Sequence, residues 1–197
     1  MRTFTYLIFL LSMPFLACTS EEDTLPRGTQ LLRNTDLSSN PNSITPWNSI
    51  GSQGFNLGVS TEIFRSGSQS IFIENLDSLN INLGTWTQTY RGIIPNAGRR
   101  ISLRAYLKGE DIRTFGPESN IYISMRMFPV EDDNGSTGGR FISSQSRVLV
   151  NGTFDWRPLE VSLNSIPPQV EFIVVYLVMG PRTTGKVFFD DITLRVD

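Results

Sequence analysis

The sequence predicts an all-β fold of sandwich or barrel type, and three observations carry that expectation. From Gln30 onward, short apolar runs are separated by clusters of Gly, Pro, Asn and Ser, the punctuation of strands joined by turns. Two of the runs alternate apolar and polar residues with period two. No window sustains a helical period for long.

Ile101, Leu103, Ala105 and Leu107 alternate with Ser102, Arg104, Tyr106 and Lys108, which gives one face for a core and one for water. Ile121, Ile123, Met125 and Met127 alternate in the same way with Tyr122, Ser124, Arg126 and Phe128. Residues 130–147 read as a long loop, either a solvated connection or a flap over a groove. Phe172 to Met179 is apolar on both parities, the pattern of a central strand covered on both sides. Asn134-Gly135, Gly138-Gly139, Asn151-Gly152 and Pro167-Pro168 mark turns.

The last strand carries a chemical signal. Val187 and Phe189 share one parity, whereas Ile192, Leu194 and Val196 share the other. All five face a core only if the alternation slips at Asp190-Asp191, as a β-bulge would make it do. Adjacent carboxylates at such a slip repel unless one is exposed, hydrogen-bonded or bound to a cation. An oxygen-rich site of that kind suits Ca²⁺ better than a transition metal.

Composition narrows the chemistry. The 197 residues are 39% hydrophobic and 18% charged, enough for one domain with a sizeable core. Seventeen Lys and Arg against nineteen Asp and Glu give a formal charge of −2, so no nucleic-acid partner is expected. Histidine is absent, which excludes His-based triads, HExxH zinc sites and imidazole bases.

Residues 1–17 hold one early Arg2, an apolar stretch too short for a stable membrane anchor, and a small residue at the end, the features of a secretory leader. Phe15-Leu16-Ala17-Cys18 resembles the lipobox of bacterial lipoproteins. The resemblance implies a signal peptide over 1–17, cleavage before Cys18, and lipidation of that lone thiol; an ordinary cleaved leader is the alternative. Residues 18–28 begin Cys-Thr-Ser-Glu-Glu-Asp and read as an acidic flexible tether. That acidic run is similar to the surface-export signal of Bacteroidetes lipoproteins, which implies an outer-membrane protein exposed at the cell surface. Its acyl chains would be its only membrane contact.

Over residues 29–197 the chain resembles the jelly-roll, galactose-binding-like domains that serve as carbohydrate-binding modules. The landmarks are Leu31-Leu32-Arg33-Asn34-Thr35-Asp36-Leu37, Trp47, Ser66-Gly67-Ser68-Gln69-Ser70-Ile71, Trp86-Thr87-Gln88, Pro95-Asn96-Ala97-Gly98 before Ser102–Lys108, Gly152–Trp156, and Gly185–Leu194. The resemblance implies a two-sheet antiparallel β-sandwich. It also implies a structural calcium between the opening segment and Asp190, with Asp36 or carbonyls near Gly67 standing in for an acidic residue that Ser38 replaces.

A glycan site needs aromatic faces for the C–H patches of sugars and polar groups for their hydroxyls. Trp86, Gln88 and Tyr90 share one parity, Arg104 and Tyr106 the wet face of a second strand, and Tyr122 and Arg126 that of a third. If those strands are neighbours, the seven residues line one groove, whose guanidinium groups would suit an anionic polysaccharide. The alternatives are that Trp47 and Trp156 are packing residues, that Tyr90 is core, and that Arg126 pairs with a surface carboxylate. The expected function is a non-catalytic, extracellular carbohydrate-binding module. Its alternatives are a protein-interaction or accessory scaffold domain of a surface complex, or a polysaccharide lyase or glycoside hydrolase on the same fold. Glycosidases need two carboxylates across the scissile bond, and those faces supply none.

Overall fold

The computed structural model describes residues 25–51, 53–145 and 147–197; the predicted leader, Cys18 and most of the tether lie outside them. Ten strands form two antiparallel five-stranded sheets packed as a jelly-roll β-sandwich. The strands are β1 (Asn48–Ile50), β2 (Asn56–Ser60), β3 (Ser70–Asn75), β4 (Gly84–Tyr90), β5 (Ile101–Thr114), β6 (Ile121–Phe128), β7 (Phe141–Ser143), β8 (Gly152–Leu163), β9 (Phe172–Met179) and β10 (Thr183–Val196). The first sheet has the order β1-β4-β9-β6-β7 and the second β2-β3-β10-β5-β8.

One apolar core lies between the sheets. The inward parity of β5 (Ile101, Leu103, Ala105, Leu107) and of β6 (Ile121, Ile123, Met125, Met127) is buried there, as the alternation predicts. Trp47 is core as well, with its indole N–H donating to the Asn34 carbonyl at 3.1 Å. The slip in β10 is real: Asp190 pairs with Tyr106 and Thr193 with Arg104, so two residues of β10 oppose Ala105. Asp191 takes φ 47° at the bulge, and Val187, Phe189, Ile192, Leu194 and Val196 all reach the core.

Two expectations change. Residues 130–147 are not one continuous loop, because β7 pairs with β6 through Ser124↔Ser143 and Arg126↔Phe141. The strands expected to lie side by side are also separated. β4 and β6 flank β9 in the first sheet, whereas β5 belongs to the second. Strand partnership is a long-range property, and local periodicity carries no information on it.

Candidate functional site

The division of strands disperses the seven predicted residues. Trp86, Gln88 and Tyr90 point inward, a correction to their expected place on a wet face. In Gly-Thr-Trp-Thr-Gln-Thr-Tyr the parity with the larger side chains removes more apolar area from water when it faces the core, which turns the three threonines outward. The Trp86 indole N–H donates to the Phe72 carbonyl across the sandwich at 3.0 Å. Gln88 forms a two-way clasp on the Arg33 backbone, at 2.8 and 3.0 Å, and the Tyr90 hydroxyl donates to the Ile93 carbonyl. Arg104 and Tyr106 lie on the outer face of the second sheet; Tyr122 and Arg126 lie on the outer face of the first.

The outer face of the first sheet is a grid set by strand register. Asn48, Thr87, Tyr176, Ser124 and Ser143 form one row across all five strands. Ile50, Thr85, Val178 and Tyr122 form the row on one side, and Thr89, Val174, Arg126 and Phe141 the row on the other. The middle of this face is recessed although its side chains point outward: Thr85, Tyr122 and Val174 are each 8% exposed, Val178 4% and Ser124 2%. The two edges stand clear, with Ile50 at 54% and Phe141 at 53%. Buried floor and exposed rims make a trough. Below the Arg126 row, the Phe128 and Phe172 rings stack at 4.7 Å, and the Arg91 guanidinium lies 4.1 Å from the Phe172 centroid.

Some polar groups in the trough are spent, since Thr87 donates to the Val175 carbonyl at 2.9 Å, Asn48 donates to the Pro46 carbonyl and Ser143 accepts the Gln145 N–H, but four are not. The hydroxyls of Tyr122, Ser124 and Tyr176 and the guanidinium of Arg126 have no hydrogen-bond partner among the described residues. Burial pushes the Tyr122 phenol above its ordinary range, helped by the charge of Glu118. Burial also raises Tyr176, with Arg126 pulling slightly the other way. Both phenols therefore stay protonated at neutral pH and serve as donors and acceptors rather than as bases. None of the outward positions in the three rows carries a carboxylate.

The outer face of the second sheet holds a larger cavity of about 700 Å³, bordered by Arg104, Tyr106, Glu160, Asp191 and Asp197. Its carboxylates are all in ion pairs: Glu160 with Arg104 at 2.7 Å, Asp197 with Arg100 at 3.0 Å, and Asp191 with Arg65. Arg65 also covers one face of the Tyr106 ring, 3.6 Å from its centroid. Its carboxylates are thus spent on neighbouring cations, although Arg27 and Arg195, which also line it, have no ion-pair partner among the described residues.

Beneath the bulge, Asp190 is fully buried. Its carboxylate accepts backbone N–H groups from Arg65 (2.7 Å), Ser66 (3.0 Å) and Asp191 (2.7 Å). Burial raises its pKa to about 6 in spite of those bonds. The expected calcium fits this donor set poorly. Asp36 is turned onto Ser38, whose hydroxyl and backbone N–H it accepts, which also lowers its pKa. The carbonyls of Leu37 and Asn40 take the side-chain amide of buried Gln69. Gly67, at φ 66°, lets the Ser66–Gly67 turn close onto this segment, since a Cβ there would stand 2.8 Å from the Asp36 carbonyl. Among the described residues no three acidic, Cys or His side chains converge, whereas calcium takes six to eight oxygens.

Sequence reasoning missed Tyr176, Phe141 and Arg140. Tyr176 lies in an all-apolar run, and its signal was the single polar tip on the parity of Val174 and Val178. Phe141 and Arg140 sit in the stretch expected to be loop.

No protein-family model matches the sequence, and no curated protein does. Solved structures match the fold. The chain is similar to TmCBM61, solved in complex with β-1,4-galactotriose (16% identity, TM-score 0.54, 86% of this chain and 100% of that one). It is similar to the CBM22-1 xylan-binding domain of Paenibacillus barcinonensis Xyn10C (12%, 0.52, 88% and 97%). It is also similar to a cyclase from Fischerella sp. TAU in complex with 4-(1H-indol-3-yl)butan-2-one (11%, 0.63, 86% and 98%). Two larger chains, a bacteriophage CBA120 tailspike domain and the MgGH51 α-L-arabinofuranosidase, are spanned over 21% and 27% of their length. At these identities the likeness is one of fold.

Proposed function

We propose that the protein is a non-catalytic carbohydrate-binding module whose glycan lies in the trough on the outer face of the first sheet. The observation that carries this reading is the recessed floor of Val174 and Val178 set among the unpartnered polar groups of Tyr122, Ser124, Tyr176 and Arg126. An apolar floor with free donors and acceptors suits a ligand that is flat and hydroxylated. Two of the fold neighbours are a complex with β-1,4-galactotriose and a xylan-binding domain, which makes galactan and xylan the first probes. Electrophoresis through gels containing β-1,4-galactan, xylan or polygalacturonate tests it. Retardation of the protein, lost in Tyr176→Ala and Tyr122→Ala, is expected; free migration in every gel would remove the proposal.

Lipidated Cys18 holds the module on the outer face of the outer membrane. Labelled palmitate should enter the protein and not its Cys18→Ser variant, and protease added to intact cells should reach it. The bulge region is held by Gln69 and backbone N–H groups rather than by calcium.

A second reading, an accessory domain in a surface complex, is favoured by one feature. The β3–β4 connection exposes Leu76 at 85%, Leu79 at 80% and Ile81 at 69%. This loop leaves β3 beside Gly185, whereas the tether enters beside Arg195, ~33 Å away along β10 at ~3.3 Å per residue. Pull-down of one defined partner, abolished by Leu79→Asp, together with silence in all three gels, would favour it.

A further inference from the structure

We infer that the trough ends in a subsite for an anionic substituent on the sugar, a carboxylate or a sulfate ester, formed by Arg126 and Arg140. The inference rests on the reading of the trough as the glycan site. Where β6 passes into β7, a cavity of about 430 Å³ is lined by Arg126, Val130, Thr137, Arg140 and Phe141. It opens from the trough, because Arg126 and Phe141 are partners in one of its rows.

The charge in this cavity is uncompensated. Arg140 is 2% exposed, and its guanidinium donates to the Pro129 and Pro168 carbonyls, each at 2.9 Å. Two carbonyl dipoles use two of its five N–H donors and do not neutralise it. Neither Arg140 nor Arg126 has a carboxylate within 4.0 Å among the described residues. A buried cation without an anion is a costly arrangement that an incoming anion relieves.

The nearby acids are occupied or turned away. Asp132 accepts the backbone N–H groups of Asn134 and Ser136 in its own turn, Asp133 accepts the Gln169 amide, and exposed Glu131 is not part of the lining. Arg126 is held only loosely between rings, 5.9 Å from the Phe141 centroid and 6.0 Å from that of Phe128, so its N–H edge remains available. Phe141 offers a ring face for the sugar that bears the charge. Guanidinium takes carboxylate or sulfate oxygens as a two-point fork, and Arg140 adds charge from behind.

The test compares polymers of one backbone that differ in charge. Polygalacturonate is set against its methyl ester for the carboxylate, and λ-carrageenan against its desulfated form for the sulfate. At least one charged polymer should bind the protein ~10-fold more tightly than its neutral counterpart, the gain expected of a charge-assisted pair. That ratio should shrink as salt rises and fall to within about twofold in Arg126→Gln. Tyr176→Ala should weaken charged and neutral polymers by the same factor and keep the ratio. Arg140→Lys retains the charge and should retain most of the ratio, with a melting curve to confirm folding. The arm that shows the preference identifies the anion. Equal binding of charged and neutral forms in both arms, or a ratio untouched by Arg126→Gln, overturns the subsite and leaves the module standing. Failure to bind any of these polymers, galactan or xylan removes both.

Discussion

The two outer faces of the sandwich spend their polar groups in opposite ways. All six ion pairs among the described residues use the strands of the second sheet or segments adjoining them, and none uses the first sheet. Cations cap rings on both faces, Tyr106 by Arg65 at 3.6 Å and Phe72 by Lys186 at 4.1 Å on the second sheet and Phe172 by Arg91 at 4.1 Å on the first, so the ion pairs carry the difference. On the first sheet the hydroxyls of Tyr122, Ser124 and Tyr176 bond no acid, though Glu118 lies close enough to raise the Tyr122 phenol, and neither Arg126 nor buried Arg140 has an ion pair. In the proposed function, the face that satisfies more of its own charge contributes to the fold and the other receives the glycan.

This contrast makes changes on or under the second sheet costly in stability and changes on the first costly in binding. The largest effect is expected at Asp190. At pH 5, Asp190→Ala empties a fully buried site and leaves three part-buried backbone N–H groups without acceptors, and should destabilise the protein by ~3 kcal/mol, read by denaturant unfolding. The same carboxyl sets a pH dependence. It ionises near 3.8 in the unfolded chain and about 6 in the folded one, so between those values the folded protein keeps a proton that the unfolded chain has lost. Its contribution is full below pH 3.8 and is lost as pH rises through 6, a fall of ~2–3 kcal/mol that Asp190→Asn should abolish.

Next comes Gln69. Replacing it with Leu removes the amide donor from the Leu37 and Asn40 carbonyls and should cost ~1–3 kcal/mol. A chelator should leave the melting temperature of the unaltered protein in place, because Asp36 and the Leu37 and Asn40 carbonyls are engaged by protein donors instead of being free for an ion. A fall in melting temperature would return calcium to the bulge. On the open face, Tyr176→Ala should lower glycan affinity ~10-fold while moving stability little, as for loss of an aromatic contact worth ~1.4 kcal/mol. The smallest effect is expected at Arg104. Arg104→Ala breaks an exposed pair with Glu160 and should change stability by under ~1 kcal/mol and binding not at all. A binding defect there would break the contrast between the faces.

Much of this molecule was legible from its sequence. The alternation in β5 and β6 set their buried faces, and the parity change at Asp190-Asp191 placed the bulge. Both are local signals, carried by the pleat itself. Sheet membership was not legible, because whether β5 or β9 neighbours β6 is decided by contacts far apart in sequence. Trp86, Gln88 and Tyr90 misled for a physical reason. A tryptophan and a glutamine that hydrogen-bond backbone groups satisfy a core as well as a groove, and only the structure shows which they do. Tyr122 and Arg126 were placed on a wet face and share the trough, but their companion Tyr176 was hidden in a run whose outward valines line the floor.

In the proposed function, recognition belongs to the first sheet. Titrating the isotope-labelled protein with oligosaccharides from the polymer that retards it most, and following backbone resonances, tests this most directly. Shifts concentrated at Thr87, Tyr122, Ser124, Arg126 and Tyr176, with Arg104, Tyr106 and Thr193 unmoved, are the predicted result. Shifts centred on Arg104, Tyr106 and Thr193 would contradict it.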